Sequence, residues 1–184
     1  IFQDPYASLD PRMRIADIVA EPLRIQGGHG PAARRELAAA ALAEVGLAAD
    51  LLDRYPHQFS GGQRQRIAIA RALVCQPALL VCDEAVSALD AHHRAEILAL
   101  LARLKRDRGL AMLFITHDFN AARALADRIA VMEQGRLVEQ GTAAQVLSRP
   151  EHPATRAMLA GNPLGRLLLS PDRNLLNNQP WQPS

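Results

Sequence analysis

Two short, unbroken apolar runs, "ALLVCDE" at 78–84 and "AMLFITHD" at 111–118, stand on either side of a single helical stretch. Runs this short and continuous suit strands buried on both faces, which is the habit of parallel sheets. Between them Ile97, Leu100, Leu101 and Leu104 recur at helical spacing over residues 91 to 108, and Gly109 ends the helix. A short Ala-rich helix follows the second run. Next comes "RIAVMEQGRLVEQG", whose Gln-Gly pair suits a hairpin turn. Strand, helix, strand, helix, strand is the order of an α/β fold.

Upstream of the first run the chain reads as mainly helical. "IFQDPYASLDPR" is a strand end followed by a turn set by Pro5 and Pro11. Ile15, Ile18, Val19 and Leu23 give residues 13 to 26 a helical period, "GGHGP" breaks it, and "AARRELAAAALAEVGL" resumes a helix that ends at Gly46. The segment "FSGGQRQRIAIARAL", 59–73, opens another helix, which Pro77 stops. Past the hairpin, "TAAQVLSRPEHPATRAMLAG" reads as two short helices separated by prolines. From 162 onward Asn, Pro and Gln accumulate, and 170–184 is expected to be a poorly ordered tail.

Composition removes several classes of function. A net charge of +2 over 184 residues, with no dense Lys/Arg run interleaved with aromatics, gives no nucleic-acid groove, so nucleic acid is not expected as a partner. There is no stretch of about 18 consecutive apolar residues, and the first ten residues have neither a basic nor an apolar leader region. Cys75 and Cys82 stand alone in apolar surroundings, without CxxC or Cys/His spacing, and read as small buried hydrophobes in a reducing compartment.

Three places carry chemistry. Ser60 sits where an N-cap belongs and Gln63 completes a capping box, so local physics accounts for both. It does not account for Gly61 and Gly62, because glycine in a helix costs roughly 1 kcal/mol relative to alanine. A helix mouth with free backbone N–H groups, a serine hydroxyl and no Cβ is suited to an anion, phosphate above all. Asp83 and Glu84 end an apolar strand, on the side where α/β sheets bind ligands. An acidic pair there divides its work between holding Mg²⁺ and polarising a water. His117 closes the next strand, where a structural role and a catalytic one both fit.

Taken in order, Gln3, "SGGQ" at 60–63, "DE" at 83–84, "SALD" at 87–90 and His117 resemble the motif series of the ATP-binding subunits of ABC transporters. "FSGGQRQRIAIARAL" resembles the signature sequence, "LLVCDE" the Walker B strand, "SALD" the D-loop, "ITHD" the switch histidine and "IFQDPYASLDP" the Q-loop. "QDPYASLDPR" and "HPATRAML" further resemble the subfamily serving peptide and nickel importers. The resemblance covers residues 1 to 160. It implies a partial P-loop NTPase domain over 1–142, a mostly parallel sheet flanked by helices, with a helical signature subdomain at 8–75 and a helical extension at 143–169. The implied cofactors are ATP and Mg²⁺.

By the same resemblance, Ser60, Gly61, Gly62 and Gln63 face the γ-phosphate of a nucleotide held by a second ATP-binding subunit in a head-to-tail dimer. Asp83 organises Mg²⁺, Glu84 is the general base, His117 holds the γ-phosphate and the attacking water, and Asp90 supports the water and the opposite subunit. Gln3 senses Mg²⁺ and links the site to transmembrane permease subunits, which dock near residues 3 to 30. The chain is then cytoplasmic and peripheral on the inner face of the cell membrane.

Two departures stand beside the match. Many relatives have proline after the catalytic glutamate, where this chain has Ala85. The 184 residues contain no G-x-x-x-x-G-K-[ST] loop, and the single lysine, Lys105, has no glycine before it. The sequence therefore leaves three readings open: the C-terminal portion of an importer ATPase, a non-catalytic chain that offers a signature face, and a non-transport ABC ATPase. Without the strands that build a phosphate cradle, the sheet is expected to have an exposed edge and the isolated chain to be aggregation-prone.

Overall fold

A computed structural model describes residues 1–4 and 7–161. These divide into two compact units, one spanning Ile1–His117 and a second from Asp118 onward.

In the first unit, helix α1 (Ile15–Gln26), helix α2 (Pro31–Glu44) and helix α3 (Gly61–Leu73) pack against one another, and α3 also meets helix α4 (Ala91–Arg108). Each turns its apolar stripe inward: Ile15, Ile18 and Val19 from α1, Leu42 from α2, Ile67, Ile69 and Leu73 from α3, and Ile97, Leu101 and Leu104 from α4 are all buried. Before α1, residues 8–14 are turn rather than helix, where Pro11 falls. Between α2 and α3 the chain makes only two short 3-10 turns, at Ala49–Asp53 and Pro56–Gln58. Helix α3 ends at Leu73, ahead of Pro77, and Gln76 takes a left-handed φ of 49° just before the proline, where the right-handed helical region is disfavoured. Arginines pin the helices together. Arg66 Nη1 donates to the Val45 carbonyl at 2.8 Å, and Arg103 Nη2 donates to the Glu44 carbonyl at 2.7 Å.

Strand β1 (Leu79–Asp83) and strand β2 (Ala111–Ile115) run parallel and in register from Leu79 against Ala111 to Asp83 against Ile115, with α4 as their crossover. The other edge of β1 carries the backbone of Ile1, whose nitrogen donates to Val81 O at 2.7 Å and whose carbonyl accepts from Asp83 N at 2.9 Å. The sequence leads one to expect both faces of this pair to be covered. Only one is: Leu80 and Cys82 are buried, whereas Leu79 (54% exposed), Val81 (42%), Leu113 (53%) and Ile115 (46%) form an open apolar face. Burial pushes the Cys82 thiol up to about 11, and Cys75 is free and half-buried, so both cysteines are unpaired as the sequence implies.

In the second unit, helix α5 (Phe119–Leu125) is capped by Asp118 and leads into strand β3 (Arg128–Glu133) and strand β4 (Arg136–Thr142), an antiparallel hairpin. Its turn is the expected Gln134–Gly135 pair, both residues with positive φ, 49° and 75°, as a type I′ turn requires. The α/β class holds, with one parallel pair and one antiparallel pair among the described residues. Helix α6 (Ala143–Ser148) starts from a Thr142 and Gln145 capping box, and helix α7 (Pro153–Gly161) follows. The Glu139 carboxylate accepts the backbone N–H groups of Glu151 and His152, both at 2.9 Å, which fixes the chain ahead of α7. The expected tail at 170–184, and the extension beyond 161, lie outside the described residues.

Candidate active site

The strand ends do the positioning. Because β1 and β2 are parallel and in register, the residues that leave them emerge side by side at one edge of the pair. Asp83 is the last residue of β1, opposite Ile115. Glu84 continues the ladder by donating its N–H to Ile115 O at 3.0 Å, then turns sharply, with φ at 48°. A glutamate in the left-handed region is strained, and such a conformation persists only where its surroundings hold it. Ser87 is part of that hold: its N–H and its hydroxyl donate to Glu84 O at 3.0 and 2.9 Å.

The turn delivers the Glu84 carboxylate to His117. His117 Nδ1 lies 3.0 Å from Glu84 Oε1, the histidine side chain 69% exposed and the glutamate 30%. An ionised carboxylate only accepts, so this bond places the proton on Nδ1 and leaves Nε2 for another partner. A carboxylate and an imidazole joined this way can take a proton from a water and orient it.

A second group forms at the mouth of α3. Ser60 caps the helix: Gln63 N donates to Ser60 Oγ at 3.3 Å, and Gln63 Oε1 accepts from Ser60 N at 3.0 Å, the reciprocal box the sequence implies. Ser60 and Gln63 are exposed, Gly61 is half-buried and Gly62 is buried. Burial of Gly62 is a finding the sequence does not anticipate, since a glycine serving only an exposed anion mouth would be open to solvent. Asp90 caps α4, its Oδ1 accepting the N–H of His93 at 3.0 Å while His93 Nδ1 sits 2.6 Å from its Oδ2. The His93 backbone N–H, and after it the ring, hold the Asp90 carboxyl below its ordinary value.

Between the groups lies a residue that sequence reasoning missed. Gln65 is fully buried in α3, and its Nε2 donates to the carbonyl of Ala85, next to Glu84, at 2.7 Å. The available signal was a glutamine at a position where the helical period of Ile67, Ile69 and Leu73 calls for an apolar face. Gln3 is exposed, two residues beyond the Ile1 backbone that pairs with β1. Among the described residues no cluster of three or more His, Cys, Asp or Glu is arranged to hold a metal, and no helix is long and apolar enough to cross a membrane.

A family model described as ABC transporter matches residues 1–87. The dipeptide transport ATP-binding protein DppF of Haemophilus influenzae is 48% identical over 89% of this chain and 50% of its own length. The oligopeptide transport ATP-binding protein OppF of Escherichia coli is 47% identical over 99% of this chain and 53% of its own length. Among solved structures, the ATP-binding cassette MJ0796, a dimer in a post-hydrolysis state bound to ADP and phosphate, superposes with a TM-score of 0.66. It is 32% identical and covers 78% of this chain and 61% of its own. The chain spans about half the length of the curated relatives it matches. On these grounds residues 1–87 match part of an ABC transporter domain, and the chain is similar over most of its length to the ATP-binding proteins of dipeptide and oligopeptide transport.

Proposed function

We propose that the chain works within an ATP-binding subunit that energises import of peptides or related small solutes, as part of a head-to-tail dimer held against membrane permease subunits. The observation that carries this is the Glu84–His117 pair, 3.0 Å apart at the ends of neighbouring parallel strands. ATP, when bound, supplies the phosphoanhydride bond whose hydrolysis drives transport. On the side of Glu84, that carboxylate takes the proton of a water which His117 orients. Asp83 and Gln3 suit a Mg²⁺ that draws most of its ligands from phosphate and water, as Mg²⁺ commonly does. Ser60, Gly61, Gly62 and Gln63, with Asp90 beside them, face the nucleotide of the second subunit, and residues 3–30 meet the permease on the inner face of the membrane.

Within this picture residues 8–75 form the signature-bearing helical subdomain of a domain running to 142. The peptide class rests on relatives described as dipeptide and oligopeptide transport proteins. Phosphoryl transfer asks chiefly for positioning and charge neutralisation, so parts contributed by two chains suffice. These 184 residues hold no phosphate loop, so the test pairs them with a subunit that carries one.

The test is association. The chain and a family subunit that carries a phosphate loop are sedimented together with and without Mg-ATP, alongside Ser60→Arg. Pairing that needs ATP and is lost in Ser60→Arg is the expected result; pairing indifferent to both would refute the proposal.

A further inference from the structure

Gly62 lies in the first turn of α3 yet is enclosed, and a side chain from another helix encloses it. A Cβ at position 62 would overlap Cδ2 of His93 and stand 3.0 Å from its Cγ and 3.3 Å from its Cβ. His93 belongs to the first turn of α4, three residues beyond its cap Asp90. The ring cannot simply swing aside. Its Nδ1 is paired with Asp90 Oδ2 at 2.6 Å, and the His93 backbone N–H donates to Asp90 Oδ1 at 3.0 Å. One carboxylate grips His93 at two points, and the gripped ring fills the space that a side chain at 62 would need.

We propose that His93 is a positioning residue that ties Asp90 to the mouth of α3, and that position 62 is glycine in order to admit its ring. This deepens the proposed function and rests on it, since there Ser60 and Asp90 act at the same nucleotide. The consequence is mechanical. Ser60 and Asp90 are the cap residues of two helices, and the 62–93 contact fixes the first turn of one against the first turn of the other. Three residues along α3, Gln65 bonds Ala85, so one face of this helix is attached at both ends of the 85–90 loop. A methyl group at 62 pushes the ring off Asp90 and frees the first turn of α4 from that of α3.

The test is a double-mutant cycle with Gly62→Ala, His93→Ala and the pair, read two ways. One readout is the urea midpoint of the purified chain; the other is ATP turnover per folded molecule in the assembled dimer. Gly62→Ala is expected to lower turnover about tenfold and His93→Ala about threefold, while the double variant stays within about twofold of His93→Ala, because removing the ring removes the clash. The midpoints follow the same pattern. Additive losses in either readout would show that Gly62 is small for some other reason and would overturn the proposal. A midpoint effect with unchanged turnover in His93→Ala would reduce the contact to packing and overturn it equally. Should Gly62→Ala fail to fold, recovery of folding in the double variant supports the proposal and continued failure refutes it. Ser60→Arg separates the two claims: if it leaves turnover intact the proposed function fails, whereas the midpoint cycle still judges the 62–93 contact.

Discussion

Gln65 Nε2 reaches the carbonyl of Ala85 across 2.7 Å, joining the middle of α3 to the residue that follows Glu84. The glutamine is fully buried, so its amide is there to make this bond rather than to meet solvent. Replacing it by leucine keeps the volume but leaves the Ala85 oxygen without its partner. Gln65→Leu is therefore expected to destabilise the chain by about 1–3 kcal/mol, read as a lower urea midpoint at unchanged m-value. An unchanged midpoint would show that the bond holds nothing.

Asp90 and Asp53 contribute to the acid limb of stability. The His93 N–H and ring lower the Asp90 carboxyl, and the Arg35 guanidinium, with bonds of 3.1 and 2.7 Å, lowers that of Asp53. A carboxyl with a depressed folded pKa contributes stability above its unfolded value, here 3.8, and loses it as pH falls through the folded value. Unfolding midpoints of the parent should thus drop more steeply below about pH 4 than those of Asp53→Asn/Asp90→Asn. Both pairs are solvent-exposed, so the difference shrinks with added salt. Parallel acid limbs would contradict the assignment.

The fold was legible where it depends on neighbours in sequence. The capping box at Ser60, the Gly109 stop with its left-handed φ of 60°, and the Gln134–Gly135 turn are all local devices, and with apolar spacing they mark the main helices and strands. Long-range relationships were not legible. Nothing in the spacing of "FSGGQRQRIAIARAL" says that Gly62 faces His93, thirty-one positions away, or that Gln65 bonds Ala85. Nor does a continuous apolar run reveal that only the Leu80 and Cys82 side of β1 is covered. Glu84 and His117 sit at strand ends whose nearness follows from parallel pairing, so their meeting could be read once that pairing was inferred.

The open face of β1 and β2 predicts how the isolated chain behaves. Val81 and Leu113 are opposite each other in register and both exposed, with Leu79 and Ile115 alongside. A contiguous apolar sheet face in water favours association. The purified chain should bind the dye ANS and run as concentration-dependent oligomers on gel filtration, and Val81→Thr/Leu113→Thr should reduce both. Equal dye binding and the same elution would mean the face is not what associates.

The central claim is that Glu84 and His117 act as one unit on one nucleotide, and a turnover cycle tests it most directly. ATP hydrolysis is measured in a dimer of subunits that carry these residues together with a phosphate loop, for the parent, Glu84→Gln, His117→Ala and the double variant. Each single change is expected to cost about a hundredfold or more, and the double variant scarcely more than the worse single, because residues that act together lose their joint effect once. Losses that multiply, or full turnover in Glu84→Gln, would contradict the account.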